Sequence, residues 1–338
     1  MRATRRGLLP LLPAAALWRP LGAAAQPRGC ACDYPERPIT LVVPFLAGGS
    51  TDIAGRILAE RMAPQLGAAA RIIVENRAGA GGSVGAEWVR HRTPDGYTLL
   101  LGSASALATN PAALPAQTPY DPVEDFAQVA LVGGGPMVLV VPASSRFRTA
   151  AELFAAVKAE PGRYMWATSG AGGIGHLTGE YLKIEAGGLR AEHVPYRGGS
   201  AVMEALAKGE VDYSLEVLAS SAPHLRDGLS RGLAVSSRAR HPLFPDVPTL
   251  DELGLKGFEI TTWNILAGPR GLPPDVLGAL SRAVQATLAE PGVRERLAAA
   301  GVDPAEATTT PDGTRAFLRS EVAKFRGIVE RAGLKLGR

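Results

Sequence analysis

Cysteine is nearly missing from this chain: of 338 residues only Cys30 and Cys32 are cysteine, and both lie close to its start. A disulfide framework needs more cysteines, and a metal site needs more ligands than this pair offers. Pro27-Arg28-Gly29 is also a poor approach to a lipid-modified Cys30. Apolar runs long enough to span a bilayer are absent. No glycine-rich loop runs into Lys-Ser or Lys-Thr, and no His-Glu-x-x-His occurs, which removes the P-loop and zinc-protease readings. Charge of one sign is scarce too. The formal net charge is +4, and Arg2, Arg5, Arg6 and Arg19 all lie in the first 25 residues, which hold no acid. The remainder of the chain is neutral, with no basic excess for nucleic acid or an acidic membrane.

Those first 25 residues read as an export signal. Met1 to Arg6 is basic, Gly7 to Leu17 is apolar, and Gly22-Ala23-Ala24-Ala25 supplies small residues for cleavage near Ala25–Gln26. Thr4-Arg5-Arg6-Gly7-Leu8-Leu9 also has the form of a twin-arginine signal. A soluble protein outside the cytoplasm is expected, long enough for two domains.

Strand and helix patterns then alternate, which predicts an α/β fold with mainly parallel strands. Ile39 to Val43 is β-branched and apolar, and Ile53, Ile57, Leu58, Met62 and Leu66 recur at helical spacing. Further strands are predicted at Arg71–Glu75, Tyr97–Leu101, Met137–Val141, Tyr164–Thr168, His193–Tyr196, Val211–Val217 and Leu233–Ser236. Capping-box patterns stand at Thr149–Glu152 and Thr249–Glu252. The tail reads as helical, with Leu318, Val322, Phe325 and Val329 on one face of its last helix.

Glycine turns between strand and helix occur in both halves. The first is Pro44-Phe45-Leu46-Ala47-Gly48-Gly49-Ser50-Thr51-Asp52, the second Ser169 to His176, and a further turn is Arg197-Gly198-Gly199. Such turns aim the unpaired N–H groups and positive dipole end of a helix outward, which suits an anion. No Lys or Arg lies between Pro44 and Gly55, so an anion held there is held by backbone. Asp52 either fixes a ligand's amino or hydroxyl group or stabilises the helix start by its charge. His176 either donates to a bound carboxylate or bonds to nearby backbone. His91, His193, His224 and His241 have no partner at a recognisable spacing, and Trp88, Trp166 and Trp263 read as core.

Two motifs point towards enzymes instead. Gly81-Gly82-Ser83-Val84-Gly85 has the nucleophile-elbow pattern, but Arg77 to Gly82 separate Ser83 from the strand that should lead straight into it. Gly170-Ala171-Gly172-Gly173-Ile174-Gly175 matches G-x-G-x-x-G, but Glu192 starts the next strand, where a ribose-binding acid would end it. An exported α/β hydrolase or oxidoreductase is therefore the second reading.

Taken in order, the signatures resemble the Bug family, the extracytoplasmic solute receptors of tripartite tricarboxylate transporters. They include Tyr34-Pro35-Glu36-Arg37-Pro38-Ile39, Val43-Pro44-Phe45, Ala47-Gly48-Gly49 with Asp52, and Glu75-Asn76-Arg77-Ala78-Gly79-Ala80-Gly81-Gly82. Further along stand Asp95 to Leu100, Tyr120-Asp121-Pro122, Ser169-Gly170 with His176, Val194 to Gly198, and Phe244 to Thr249. Leu46 stands where proline is frequent, and Gly173 where serine is expected.

The resemblance implies a periplasmic-binding-protein fold of type II: two α/β domains joined by crossover strands, closing on ligand. Residues 33–138 with 238–338 would form one domain and 139–237 the other. It implies a small mono- or dicarboxylate held by Phe45, Ala47, Gly48, Gly49, Ser50, Asp52, Ser103, Ser169, Gly170, Ala171, Gly172, Gly173, His176, Tyr196, Arg197 and Gly198. It also implies permease subunits as partners, a monomeric receptor, no cofactor and no catalytic residue. Chelator is accordingly expected to leave thermal stability and ligand binding unchanged; a lower melting temperature in EDTA, restored by a divalent ion, would reveal a metal site.

Overall fold

The computed structural model describes residues 34–334; the leader at 1–25, Cys30 and Cys32 lie outside the described residues. In chain order, β1 (Ile39–Val43), α1 (Ser50–Leu66), β2 (Ile72–Asn76), α2 (Ser83–Arg90), β3 (Thr98–Ser103) and α3 (Asn110–Ala113) lead to a long strand, β4 (Phe126–Pro142). Then come α4 (Ala150–Ala159), β5 (Met165–Thr168), α5 (Ile174–Glu185), β6 (Glu192–Pro195), α6 (Gly199–Lys208) and β7 (Tyr213–Val217). The rest is α7 (Leu218–Arg226), β8 (Ser230–Val235), β9 (Thr261–Pro269), α8 (Pro274–Ala289), α9 (Pro291–Ala299), β10 (Asp303–Pro304) and α10 (Pro311–Ala332).

The strands run in the order β2-β1-β3-β9-β4-β7-β5-β6, with β8 and β10 also on β4. β4 changes partners along its length. Up to Pro136 it pairs with β9, and from Met137 onward with β7 and β8. One long strand thus belongs to two half-sheets. Ser236, just past β8, lies beside this change of partner: the Met137 N–H donates to Ser236 Oγ at 2.8 Å, and the Ser236 N–H donates to the Met137 carbonyl at 2.9 Å. α10 packs on β4, α3 and α5, so it touches elements of both half-sheets. Leu318, Val322 and Phe325 are buried on its inner face as predicted, and Val329 is half-buried.

The expectation of mainly parallel strands is corrected. β1 lies parallel to β2 and β3, and β5 to β6 and β7, but every pairing of β4 and of β9 is antiparallel. The sequence reading starts β4 only at Met137 and passes over β9. The upstream half of β4 carries Gly133-Gly134-Gly135-Pro136, which has the composition of a loop. β9 is buried almost throughout, so no alternation marks it. α7, interrupted by Pro223, also escapes the pattern. The box at Thr149–Glu152 caps α4. The one at Thr249–Glu252 forms its hydrogen bonds too, but the turn ends at Gly254 (φ +101) without becoming a helix.

The triple glycine is explained by crowding. A Cβ on Gly134 would stand 2.0 Å from the Thr262 carbonyl oxygen on β9, and one on Gly133 2.5 Å from that of Asp303 on β10. Backbone cannot move aside as a side chain can. Gly134→Ala is expected to cost about 3 kcal/mol or more by overpacking. Gly327→Ala, with open space around it on α10, should instead gain about 0.5–1 kcal/mol. Urea unfolding of both variants checks this; equal midpoints would refute it.

Candidate functional site

A cavity of about 250 Å3 opens where the C-terminal ends of parallel strands from the two half-sheets meet. That is where open α/β sheets collect ligands, because the loops and helix starts beyond those strand ends converge there. One wall is the loop after β1, from Phe45 to Thr51, with Ser103 at the end of β3, then Ser105 and Thr262. The other wall is Ser169 after β5, Ile174, the turn Arg197 to Ala201 into α6, Glu204, and Glu216, Val217 and Ser220 around the end of β7.

The first loop is shaped by Asp52, which is buried and does not line the cavity. Its Oδ2 accepts the Gly48 N–H at 2.9 Å and Arg56 Nε at 2.9 Å; its Oδ1 accepts Arg56 Nη2 at 3.0 Å and Asn76 Nδ2 at 2.8 Å. Burial works to raise its carboxyl, but the Arg56, Gly48 and Asn76 bonds outweigh it and hold the group below the usual value. Asn76 Nδ2 also ties the Phe45 carbonyl at 3.0 Å. Gly48 takes φ +85, which favours glycine. The loop therefore turns back through Gly48 and presents Gly49, Ser50 and Thr51, the start of α1, to the cavity.

The second loop is arranged differently. Gly170, Ala171, Gly172, Gly173 and His176 do not line the cavity, whereas Ser169 and Ile174 do. His176 is buried, and its Nδ1 accepts the Gly172 N–H at 3.0 Å. Its ring stacks on His193 with centroids 4.0 Å apart, and burial pushes both histidines below the usual value, His193 to about 3. Of the two readings of His176, the geometry shows the bond to backbone. Gly173 gives α5 no side-chain cap; instead Ser105 Oγ, from the opposite wall, accepts the Ile174 N–H at 3.0 Å.

The helix that does open into the cavity from this side is α6. Gly199, Ser200 and Ala201 line the cavity, its cap residue is Gly198 (φ +103), and no side chain caps it. α1 likewise starts at Gly49 without a side-chain cap. Two helix N-termini thus face one space with their first N–H groups uncapped by any side chain. Arg197 is exposed at the edge and makes no ion pair among the described residues, while Glu204 pairs with Lys208 at 2.8 Å. Tyr196 stands outside the lining, half-buried.

Of the residues named from sequence, Phe45, Ala47, Gly49, Ser50, Ser103, Ser169, Arg197 and Gly198 come together at the cavity. Thr51, Ser105, Ser220, Thr262 and Glu216 line it as well and were not singled out from sequence. For Glu216 a signal existed: an acid inside the apolar, fully buried strand Tyr213–Val217. Neither enzyme motif acquires a site. Ser83 is buried and bonded by Asn110 Nδ2 at 3.1 Å, and Glu192 is exposed. No cluster of three or more metal-ligating side chains occurs among the described residues.

Comparison with known proteins agrees with this geometry. The profile of the tripartite tricarboxylate transporter family receptor matches residues 54–334. Protein BugT of Bordetella pertussis is 37% identical over 303 residues, 90% of this chain and 91% of that protein. Among solved structures, Rpa4515 of R. palustris with adipate shares 31% identity at a TM-score of 0.85, covering 89% of this chain and 99% of that one. MatC from Rhodopseudomonas palustris with bound malate shares 31% at a TM-score of 0.82, covering 88% and 100%. Solved periplasmic binding proteins have this same fold, two α/β domains with a cleft between them, and none of these relatives speaks for the hydrolase or oxidoreductase reading. The chain belongs to the Bug receptors of tripartite tricarboxylate transporters and is a solute-binding receptor rather than an enzyme.

Proposed function

We propose that the cavity holds the carboxylate of a small mono- or dicarboxylic acid between the N-termini of α1 and α6. The carrying observation is that both helix starts, Gly49–Thr51 and Gly199–Ala201, face the same space without a side-chain cap. Each charge-assisted hydrogen bond from such an N–H is worth roughly 1.5–3 kcal/mol. Hydroxyls of Ser50, Ser103, Ser169 and Ser220 stand on the same walls. The adipate and malate seen in the two solved relatives are dicarboxylates and support this reading. Phe45, Ala47, Gly49, Ser50, Ser103, Ser169, Arg197 and Gly198 meet the ligand; Gly48, Asp52, Gly170 to Gly173 and His176 hold the two loops in shape.

Residues 33–138 with 238–338 act as one domain and 139–237 as the other, closing on the acid like a trap. The change of β4 partners at Met137 and its hydrogen bonds to Ser236 support that division. The leader at 1–25 is cleaved on export, and the loaded monomer passes its acid to permease subunits in the membrane.

Calorimetric titration with mono- and dicarboxylates should give micromolar or tighter binding for at least one acid. Its amide or ester should bind at least about tenfold more weakly, a loss above ~1.4 kcal/mol. A neutral analogue that binds as well as the acid would refute the helix-end mechanism.

A further inference from the structure

Glu216 has no part in the anion-holding scheme, yet it lines the same cavity from the end of β7. The residue is 1% exposed. Its Oε1 accepts the Val217 N–H at 2.9 Å, and its Oε2 has no hydrogen-bond partner among the described residues. A buried carboxyl oxygen without a donor is costly, and the nearby Ser169 hydroxyl and N–H make no aligned bond to it. The neighbouring backbone is built around it. A Cβ on Gly199 would stand 3.2 Å from Glu216 Oε1 and 2.5 Å from the Ser220 hydroxyl oxygen, so glycine is what lets the first turn of α6 come this close.

We propose that Glu216 is a specificity-determining residue of this cavity. With the ligand's carboxylate held at the helix ends, the free oxygen of Glu216 takes a hydrogen bond from a donor on the ligand's carbon chain. The receptor thus prefers acids bearing a hydroxyl or ammonium group over the same acids without one. This rests on the carboxylate reading under the proposed function and adds the class of acid selected.

The charge environment agrees. β4 and β5 carry no charged residue. His176, Glu180, Lys183 and Glu185 on α5, Glu204 and Lys208 on α6, His224 and Arg226 on α7, and Arg197 in the loop make no hydrogen bond or ion pair with Glu216. Burial pushes its carboxyl up to about 7; the Val217 N–H bond, and after it the nearby Ser169 hydroxyl and N–H, only partly oppose the rise. A ligand donor favours the ionised carboxyl, so the preference for donor-bearing acids over their parents should climb as pH rises through about 7. Stability runs the other way. A carboxyl raised in the folded state stabilises fully below its unfolded value and loses that contribution as pH rises through its folded one.

The test is calorimetry at pH 8 on the mature chain with matched sets: propionate, lactate and alanine; succinate, malate and aspartate; glutarate, 2-hydroxyglutarate and glutamate. In at least one set the hydroxy or amino acid should bind at least about tenfold tighter than its parent. Glu216→Leu should bring the two within about twofold, and the arm in which the preference falls identifies hydroxyl or ammonium. Glu216→Gln, which keeps the shape, should melt higher than the native chain at pH 8 and should lose the pH dependence of binding. Parent acids that bind with no preference in any set, or a preference that survives Glu216→Leu, would overturn the proposal. If none of the nine acids binds, the carboxylate reading falls, and this inference with it.

Discussion

The whole arrangement depends on backbone N–H groups at helix starts that the chain leaves without side-chain acceptors. An N-cap serine, threonine or aspartate ordinarily takes one of these groups, and this chain uses that device elsewhere: Thr149 caps α4 and Thr310 caps α10. At α1 and α6 the cap positions are Gly49 and Gly198, which have no side chain to offer. What remains is a pair of positive dipole ends pointing into one open cavity. α5 shows the contrast. It too starts from a glycine, Gly173, but Ser105 reaches across and takes the Ile174 N–H.

A carboxylate at a helix start competes for the dipole end that would hold an anion. Asp52 lies within the first turn of α1, where an exposed negative charge would compete for the same dipole end. Its two oxygens are instead engaged by Gly48, Arg56 and Asn76, so its charge is balanced on the side away from the cavity. The same bonds fold Gly48 back and bring Gly49 to Thr51 forward. Asp52 thus sets the shape of the loop, a role that its sequence position next to Ser50 and Thr51 could not separate from lining the cavity.

The sequence carried the local parts of the fold well and the crossing parts poorly. β1 with α1, and the box that caps α4, are encoded in runs of adjacent residues whose spacing speaks for itself. β4 and β9 are not, because their residues answer to neighbours far along the chain: Gly134 is glycine on account of Thr262, and Gly133 on account of Asp303. The site divides in the same way. Its glycine turns were legible because a strand, two glycines and a helix succeed one another. Which helix start would keep its first N–H free was not, since α5 and α6 both begin with glycines and it is Ser105, far off in sequence, that takes the Ile174 N–H.

Glu216 breaks the rule opposite to the one the glycines break. The glycines leave donors without acceptors, and Glu216 leaves an acceptor without a donor. Either fault alone would lower the stability of the unliganded protein with nothing gained in return. Here both belong to residues that line one cavity, and Glu216 is the one carboxyl among the described residues whose buried oxygen lacks a partner. A molecule carrying an acceptor at one point and a donor at another would satisfy both together. A purely apolar molecule of the same size would satisfy neither and would also cut them off from water. Complementary unmet bonds of this kind make the closed, filled cleft more favourable than the closed, unfilled one, and that difference is what a receptor needs in order to shut on its solute.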